Sequence, residues 1–173
     1  FFTMEAPLTE AEFKAKTEKE ITDIVFKKAE EDYKNRLVLL KENSFPIIEN
    51  VFKQQGHMFK NVQVPFSDGT KTLTIVTDLK QAYETQCESM INDFEKNICL
   101  TIIDENWKHH LKEMDDLRKS SQGAVYEQKD PLLIYKFEAV ELFQNFLSKV
   151  NADTVSFLMK ANVAEMRFQH FAP

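Results

Sequence analysis

Four histidines, two cysteines and 28 acidic side chains are the groups in this sequence that could do chemistry. Their spacing argues against most of it. His109 and His110 are adjacent, so on a helix they point about 100° apart and cannot hold one metal ion together. They read as solvated or half-packed side chains, and His57 and His170 stand alone. The acidic pairs Asp104/Glu105 and Asp115/Asp116 are consecutive, and consecutive helical residues do not face each other, so they form no acid–base couple. No Ser or Cys nucleophile has a base at readable spacing. With three glycines in the chain, a Gly-rich phosphate loop has no material to form from. Cys87 and Cys99 on one helix would be roughly 18 Å apart at about 1.5 Å per residue, whereas a disulfide needs Cα atoms within about 7 Å. They read as thiols in a reducing compartment, packed as small hydrophobes.

The chain is 173 residues long, 43% hydrophobic with 15 Phe, and carries a net charge of −6. That supports an apolar core and is a poor match to the nucleic-acid backbone. No apolar run approaches the roughly 20 residues of a membrane-spanning helix. The opening Phe1-Phe2-Thr3, without an initiator Met, reads as a piece of a longer protein.

The elements follow from periodicity. Thr9-Glu10-Ala11-Glu12 fits a capping box and starts an amphipathic helix over residues 10–42, whose Lys/Glu face is a solvated surface of mixed sign. Asn43-Ser44-Phe45-Pro46 is expected to break it before a short helix ending near Gly56. Two alternating runs, Val62–Phe66 and Thr72–Val76, flank Asp68-Gly69 and predict a β-hairpin; Pro65 places its strand at an edge. Leu79, Tyr83, Cys87, Met90, Ile91, Phe94, Ile98, Ile102, Trp107, Leu111, Met114 and Leu117 recur at intervals of mostly three and four. They predict one long helix over residues 79–120. A tip over residues 121–130 follows. Asp130 as N-cap and Pro131 at the first helical position then start an antiparallel return helix over residues 131–150. Asn151-Ala152-Asp153 marks a break before a last short helix, and residues 162–173 form a tail. The fold class is mainly α: a long antiparallel helical hairpin, additional packed helices and one small β-hairpin insertion. Residues alone leave two functional readings open: a helical adaptor docking another protein through its apolar stripe, and, disfavoured by charge, a helicase-type accessory module on nucleic acid.

One stretch is more specific. Asp104, Trp107, His110-Leu111, Met114-Asp115 and Leu117-Arg118, followed by Tyr126, Gln128-Lys129-Asp130-Pro131, Tyr135-Lys136 and Glu138, resemble the SecA preprotein translocase ATPase family. There the segment is written LDxxWxxHLxxMDxLR and continues through RGYAQKDP. The likeness runs without gaps from about Phe94 to Lys160; residues before about 85 match in position and helical character only. The tip departs from the family, with Gln122-Gly123-Ala124-Val125 lacking the basic residue that usually precedes Tyr126.

The resemblance implies a helical wing-like region over residues 1–83, with the β-hairpin near 62–76, then a helical scaffold segment over residues 84–161 forming a two-helix finger. It implies a parent motor that couples ATP hydrolysis, with Mg, to moving unfolded preprotein through a SecY-type channel. The parent would be cytoplasmic and peripheral at the bacterial inner membrane. Neither nucleotide-binding fold lies in this stretch, so no cofactor and no catalytic residue are assigned to it. Tyr126, Val125 and Gln122 take the substrate and channel contact. Gln128, Lys129, Asp130 and Pro131 shape the tip, and Trp107, Leu111, Met114, Leu117, Arg118 and Tyr135 pack the finger. The partners implied are preprotein, the channel and the other domains of the motor.

Overall fold

The computed structural model describes residues 6–56, 58–121 and 130–164. In chain order these form α1 (Glu10–Ala15), α2 (Glu18–Gln55), β1 (Asn61–Ser67), β2 (Thr72–Asp78), α3 (Leu79–Glu84), α4 (Glu88–Ser121), α5 (Pro131–Lys160) and β3 (Asn162–Val163). The fold is mainly α with a three-stranded antiparallel sheet of order β2-β1-β3. The chain divides into two compact units, Phe1–Lys96 with Ser156–Pro173, and Asn97–Val155.

The first helix is interrupted where the sequence repeats its start signal. Thr9 caps α1, and Thr17 caps α2 by the same reciprocal box: Glu20 Oε2 accepts from Thr17 N at 2.9 Å and Thr17 Oγ1 accepts from Glu20 N at 3.4 Å. Both Lys16 and Thr17 are extended, which separates the helices. The expected break at residues 43–46 does not occur; α2 runs through Pro46. Pro46 lacks the amide for its own helical bond, and Ser44 caps nothing, its hydroxyl donating to Leu40 O at 2.6 Å. The buried stripe Leu40, Ser44, Ile48 and Val51 holds both sides of the proline on the core, and tertiary burial outweighs the local breaker.

The expected long helix is two. Cys87 N donates to Ala82 O (2.7 Å) and Gln86 N to Tyr83 O (3.2 Å), the bond pair of a Schellman cap closing α3. Gln86 occupies the left-handed position at φ 50°, Cys87 follows at φ 68°, and Thr85 Oγ1 accepts from Ser89 N at the start of α4. Cys87 and Ala82, the two positions whose side chains pair in such a cap, are both fully buried. Burial raises the Cys87 thiol to about 11, with Lys41 opposing; neither Cys87 nor Cys99 is in a disulfide. Gln86 is exposed, so Gln86→Gly relieves left-handed strain without touching the core. A gain of about 0.5–1 kcal/mol is expected, net of the extra unfolded-state entropy. Thermal unfolding should show it as a Tm rise of about 2–3 °C; a lower Tm would mean that the side chain does more than the backbone here.

The β-hairpin forms as expected, with Asp68 Oδ1 accepting from Thr70 N (2.8 Å) and Lys71 N (2.7 Å) and Gly69 at φ 92°. Burial opposes ionisation of Asp68, but the Lys71 and Thr70 donors outweigh it and hold the carboxyl below its usual range. Val62, Val64 and Phe66 of β1 and Ile75 and Thr77 of β2 turn one face to the core, where the Phe66 ring lies 4.3 Å from that of Phe94. Two expectations fail here. Pro65 sits in the central strand, not at an edge, and the residues after α5 do not begin as a tail. Asn162 and Val163 pair with Ser67 and Phe66, and Ala164 N donates to Pro65 O at 2.9 Å. The reciprocal bond would need the N–H that proline lacks, so the β1–β3 ladder stops at that point.

Helix α5 is continuous through the expected break at Asn151-Ala152-Asp153. Asp153 is held inside the helix by Lys149 Nζ (2.9 Å) and by Asn106 Nδ2 of α4 (3.2 Å).

Candidate functional site: a helical hairpin with a polar seam

Within residues 97–155, contact positions rise along α4 as they fall along α5, so the helices run antiparallel. Asn106 meets Asp153, Trp107 meets Phe146, and His110 meets Phe143 and Phe146. Toward the tip, Asp116, Leu117 and Ser120 face Glu138, Glu141, Leu142 and Asn145 across a groove of about 500 Å³. Asp130 starts the return as expected from sequence, its carboxylate accepting from Leu132 N at 2.9 Å with Pro131 at the first helical position.

The seam of α4 is Ile98, Ile102, Asn106, His110, Leu117 and Ser121, all buried. Sequence reading missed two of its three polar members, Asn106 and His110. Asn106 donates to Ile102 O at 2.9 Å as well as to Asp153, satisfying both amide hydrogens and fixing one register for the pair. His110, expected to be solvated or half-packed, is buried among Trp107, Phe143 and Phe146 with ring centroids 5.1–5.9 Å away. Its Nδ1 has no partner among the described residues. The signal was present in the sequence: the step of four that links Ile98 to Ile102 continues to residues 106 and 110. His109 is exposed beside Glu113 at 3.4 Å. Among the described residues no group of three or more His, Cys, Asp and Glu could hold a metal ion.

The residues expected to pack the finger take several positions. Leu117 is buried, Met114 and Tyr135 are half-buried, Arg118 is exposed, Trp107 is 42% exposed with its edge on Phe146, and Leu111 is 48% exposed. Gln122, Val125, Tyr126, Gln128 and Lys129 lie outside the described residues.

Ile103, Trp107 and Leu111 each stand one position beyond a seam residue, about 100° round the helix. On α5, Phe143 and Leu147 stand one beyond the half-buried Leu142 and Phe146, and Leu133, Phe137 and Val140 continue their stripe. In antiparallel helices that rotation leads to the same side, so the two stripes form one exposed apolar face. The hairpin thus holds polar side chains among the apolar ones of its seam and presents an apolar stripe outward. A face of this kind marks an interaction surface.

The fold and this face define a helical scaffold module joined to a larger helix-and-sheet unit. The chain belongs to the SecA Wing and Scaffold domain family, which matches residues 3–162. It is 49% identical over 162 residues to the protein translocase subunit SecA of Christiangramia forsetii and 46% identical over 162 residues to that of Flavobacterium psychrophilum. It is 44% identical over 160 residues to that of Bacteroides fragilis. These alignments cover 92–94% of this chain and 14% of each relative, so the chain spans a small part of the length of the relatives it matches. No solved structure matches it. The family match begins at residue 3, so it also takes in the early residues whose likeness rested on position and helical character.

Proposed function

We propose that this chain is the wing and two-helix finger of a protein-translocating motor, with residues 1–83 as the wing-like region and 84–161 as the scaffold segment. The finger contacts unfolded preprotein and a SecY-type channel and couples the motor's ATPase to polypeptide movement. The observation that carries this reading is the SecA family match over a segment that folds as an antiparallel helical hairpin. Chemistry agrees with it. A polypeptide of arbitrary sequence offers no fixed shape to a pocket, whereas an aromatic at a loop tip gives adaptable apolar contact with a hydroxyl. Tyr126 takes that role, with Val125 and Gln122 beside it and Gln128 to Pro131 shaping the tip. The exposed apolar face of the hairpin suits packing against other parts of the motor. ATP and Mg bind elsewhere in the parent, and these 173 residues do not bind nucleotide themselves. The parent works at the cytoplasmic face of the inner membrane as a peripheral protein; no helix among the described residues is long and apolar enough to cross a membrane.

Tyr126→Ala in the full-length motor tests the reading. Preprotein transport into membrane vesicles is expected to fall about tenfold or more while ATP binding stays unchanged, since the side chain touches the moving chain and not the nucleotide. Transport at the unsubstituted rate would refute the assignment.

A further inference from the structure

The sheet has two edges, and the fold treats them differently. The β1–β2 ladder is bracketed by Leu79 N donating to Lys60 O (2.9 Å) and Asp68 N donating to Lys71 O (3.2 Å). Between them the register runs from Asn61↔Asp78 to Ser67↔Thr72. Bonded and non-bonded pairs alternate in an antiparallel ladder, so Val62↔Thr77, Val64↔Ile75 and Phe66↔Leu73 are the bonded pairs. The N–H and C=O groups of Thr72, Thr74 and Val76 therefore point away from β1. The same parity directs the Pro65 carbonyl toward β3, where Ala164 N bonds it.

On the β3 side the edge is managed: a short strand lies over it and Pro65 ends the ladder. On the β2 side nothing among the described residues pairs with the strand. β2 reads Thr-Leu-Thr-Ile-Val-Thr-Asp, with no proline, no lysine and no bulge to blunt it, and the side chains of Thr72, Thr74 and Val76 are exposed. An open, β-branched edge of this kind is a template for strand pairing and an aggregation hazard when left bare.

We propose that the β2 edge is completed by a further extended strand, supplied by the part of the parent polypeptide outside these residues and hydrogen-bonded to Thr72, Thr74 and Val76. Among polypeptide conformations, an extended strand is the one that matches three outward-pointing N–H and C=O sets on one straight edge. The relatives hold most of their length outside the matched segment, so such a strand is available in the same chain. Tethering favours that source: a linked segment has an effective concentration on the order of millimolar and covers the edge at all times. A client in transit, or a second copy at low concentration, would leave it bare for much of the time. The inference rests on the length of the relatives and the geometry of the sheet, not on the finger reading.

The test is residue-resolved hydrogen exchange on the full-length subunit, without client, over a range of concentrations. The amides of Thr72, Thr74 and Val76 are expected to be protected at every concentration. Thr74→Pro removes an outward N–H that the β1 ladder does not use. It should speed exchange at Thr72 and Val76 by about tenfold or more, leave Ile75 and Thr77 protected, and release protection in one distant segment, which identifies the added strand. Should the proline disturb the hairpin, seen as loss of protection at Ile75, Thr74→Lys provides the same contrast by blunting the edge. Fast exchange at Thr72, Thr74 and Val76 in the unsubstituted protein overturns the proposal. Protection that appears only at high concentration, or only on adding an unfolded client, also overturns it, in favour of a second copy or the client.

Discussion

Phe94→Ala is expected to destabilise the chain by about 3–5 kcal/mol, the cost of truncating a fully buried aromatic and leaving a cavity. Phe94 is completely inaccessible, and its ring lies 4.3 Å from that of Phe66 with the planes tilted by 31°. Phe66 is fully buried on β1, the strand to which both β2 and β3 are bonded. A two-stranded hairpin is marginal in water, so this sheet depends on the helical surface it covers. Urea unfolding followed by circular dichroism measures the loss. Phe94→Leu should recover most of it by refilling the volume, and a Phe66→Ala/Phe94→Ala cycle should show coupling of about 0.5–1.5 kcal/mol. A loss below about 1 kcal/mol would place the core elsewhere.

Arg36→Ala should cost about 2–3 kcal/mol and loosen β3. Arg36 Nη2 donates to Lys160 O at 2.5 Å, Ala161 O at 2.7 Å and Asn162 Oδ1 at 3.1 Å. The last carbonyls of a helix have no partner of their own and carry the negative end of its dipole, so one guanidinium closes α5 and anchors the turn into the strand. Bonds to a charged donor are worth about 1.5–3 kcal/mol, and the loss leaves half-buried carbonyls unpaired. Two terms reduce the sum: Arg36 Nε is buried without a partner among the described residues, and burial lowers the guanidinium pKa, with Tyr33 opposing. Arg36→Lys should restore part of the stability, because an ammonium supplies donors but not the planar fork. Exchange at Ala164, whose amide bonds Pro65 O, reports the strand directly; unchanged protection there in Arg36→Ala would show that β3 stands without this clamp.

Local chemistry was legible where a signal and its partner lie within a few residues. The Thr9–Glu12 box, the Asp68-Gly69 turn, the Asp130-Pro131 helix start and the alternation of both hairpin strands each close within one turn of chain. Segments meant to stop a helix were misread whenever burial overruled them. Pro46 and Asn151-Ala152-Asp153 lie inside continuous helices because the fold supplies the buried stripe around the proline and the Asn106 hydrogen bond to Asp153. The reverse error came at Gln86, where an unbroken apolar period passed over a cap formed without the usual glycine.

By itself the sequence determined the helical class, the hairpin and the family, because periodicity and the spaced series Trp107, His110-Leu111, Met114-Asp115 and Leu117-Arg118 are properties of the chain read in order. Only the tertiary structure decided which side of each helix became the seam. Position 106 or 110 reads as polar surface until a second helix faces it, and Trp107 or Leu111 reads as core until that helix packs one step away. The same holds for Pro65, an edge residue by its own chemistry, which became central when a strand from about a hundred residues later took the other side. Pairing between distant segments costs loop entropy that no local pattern encodes, and for that reason it had to be seen in the fold.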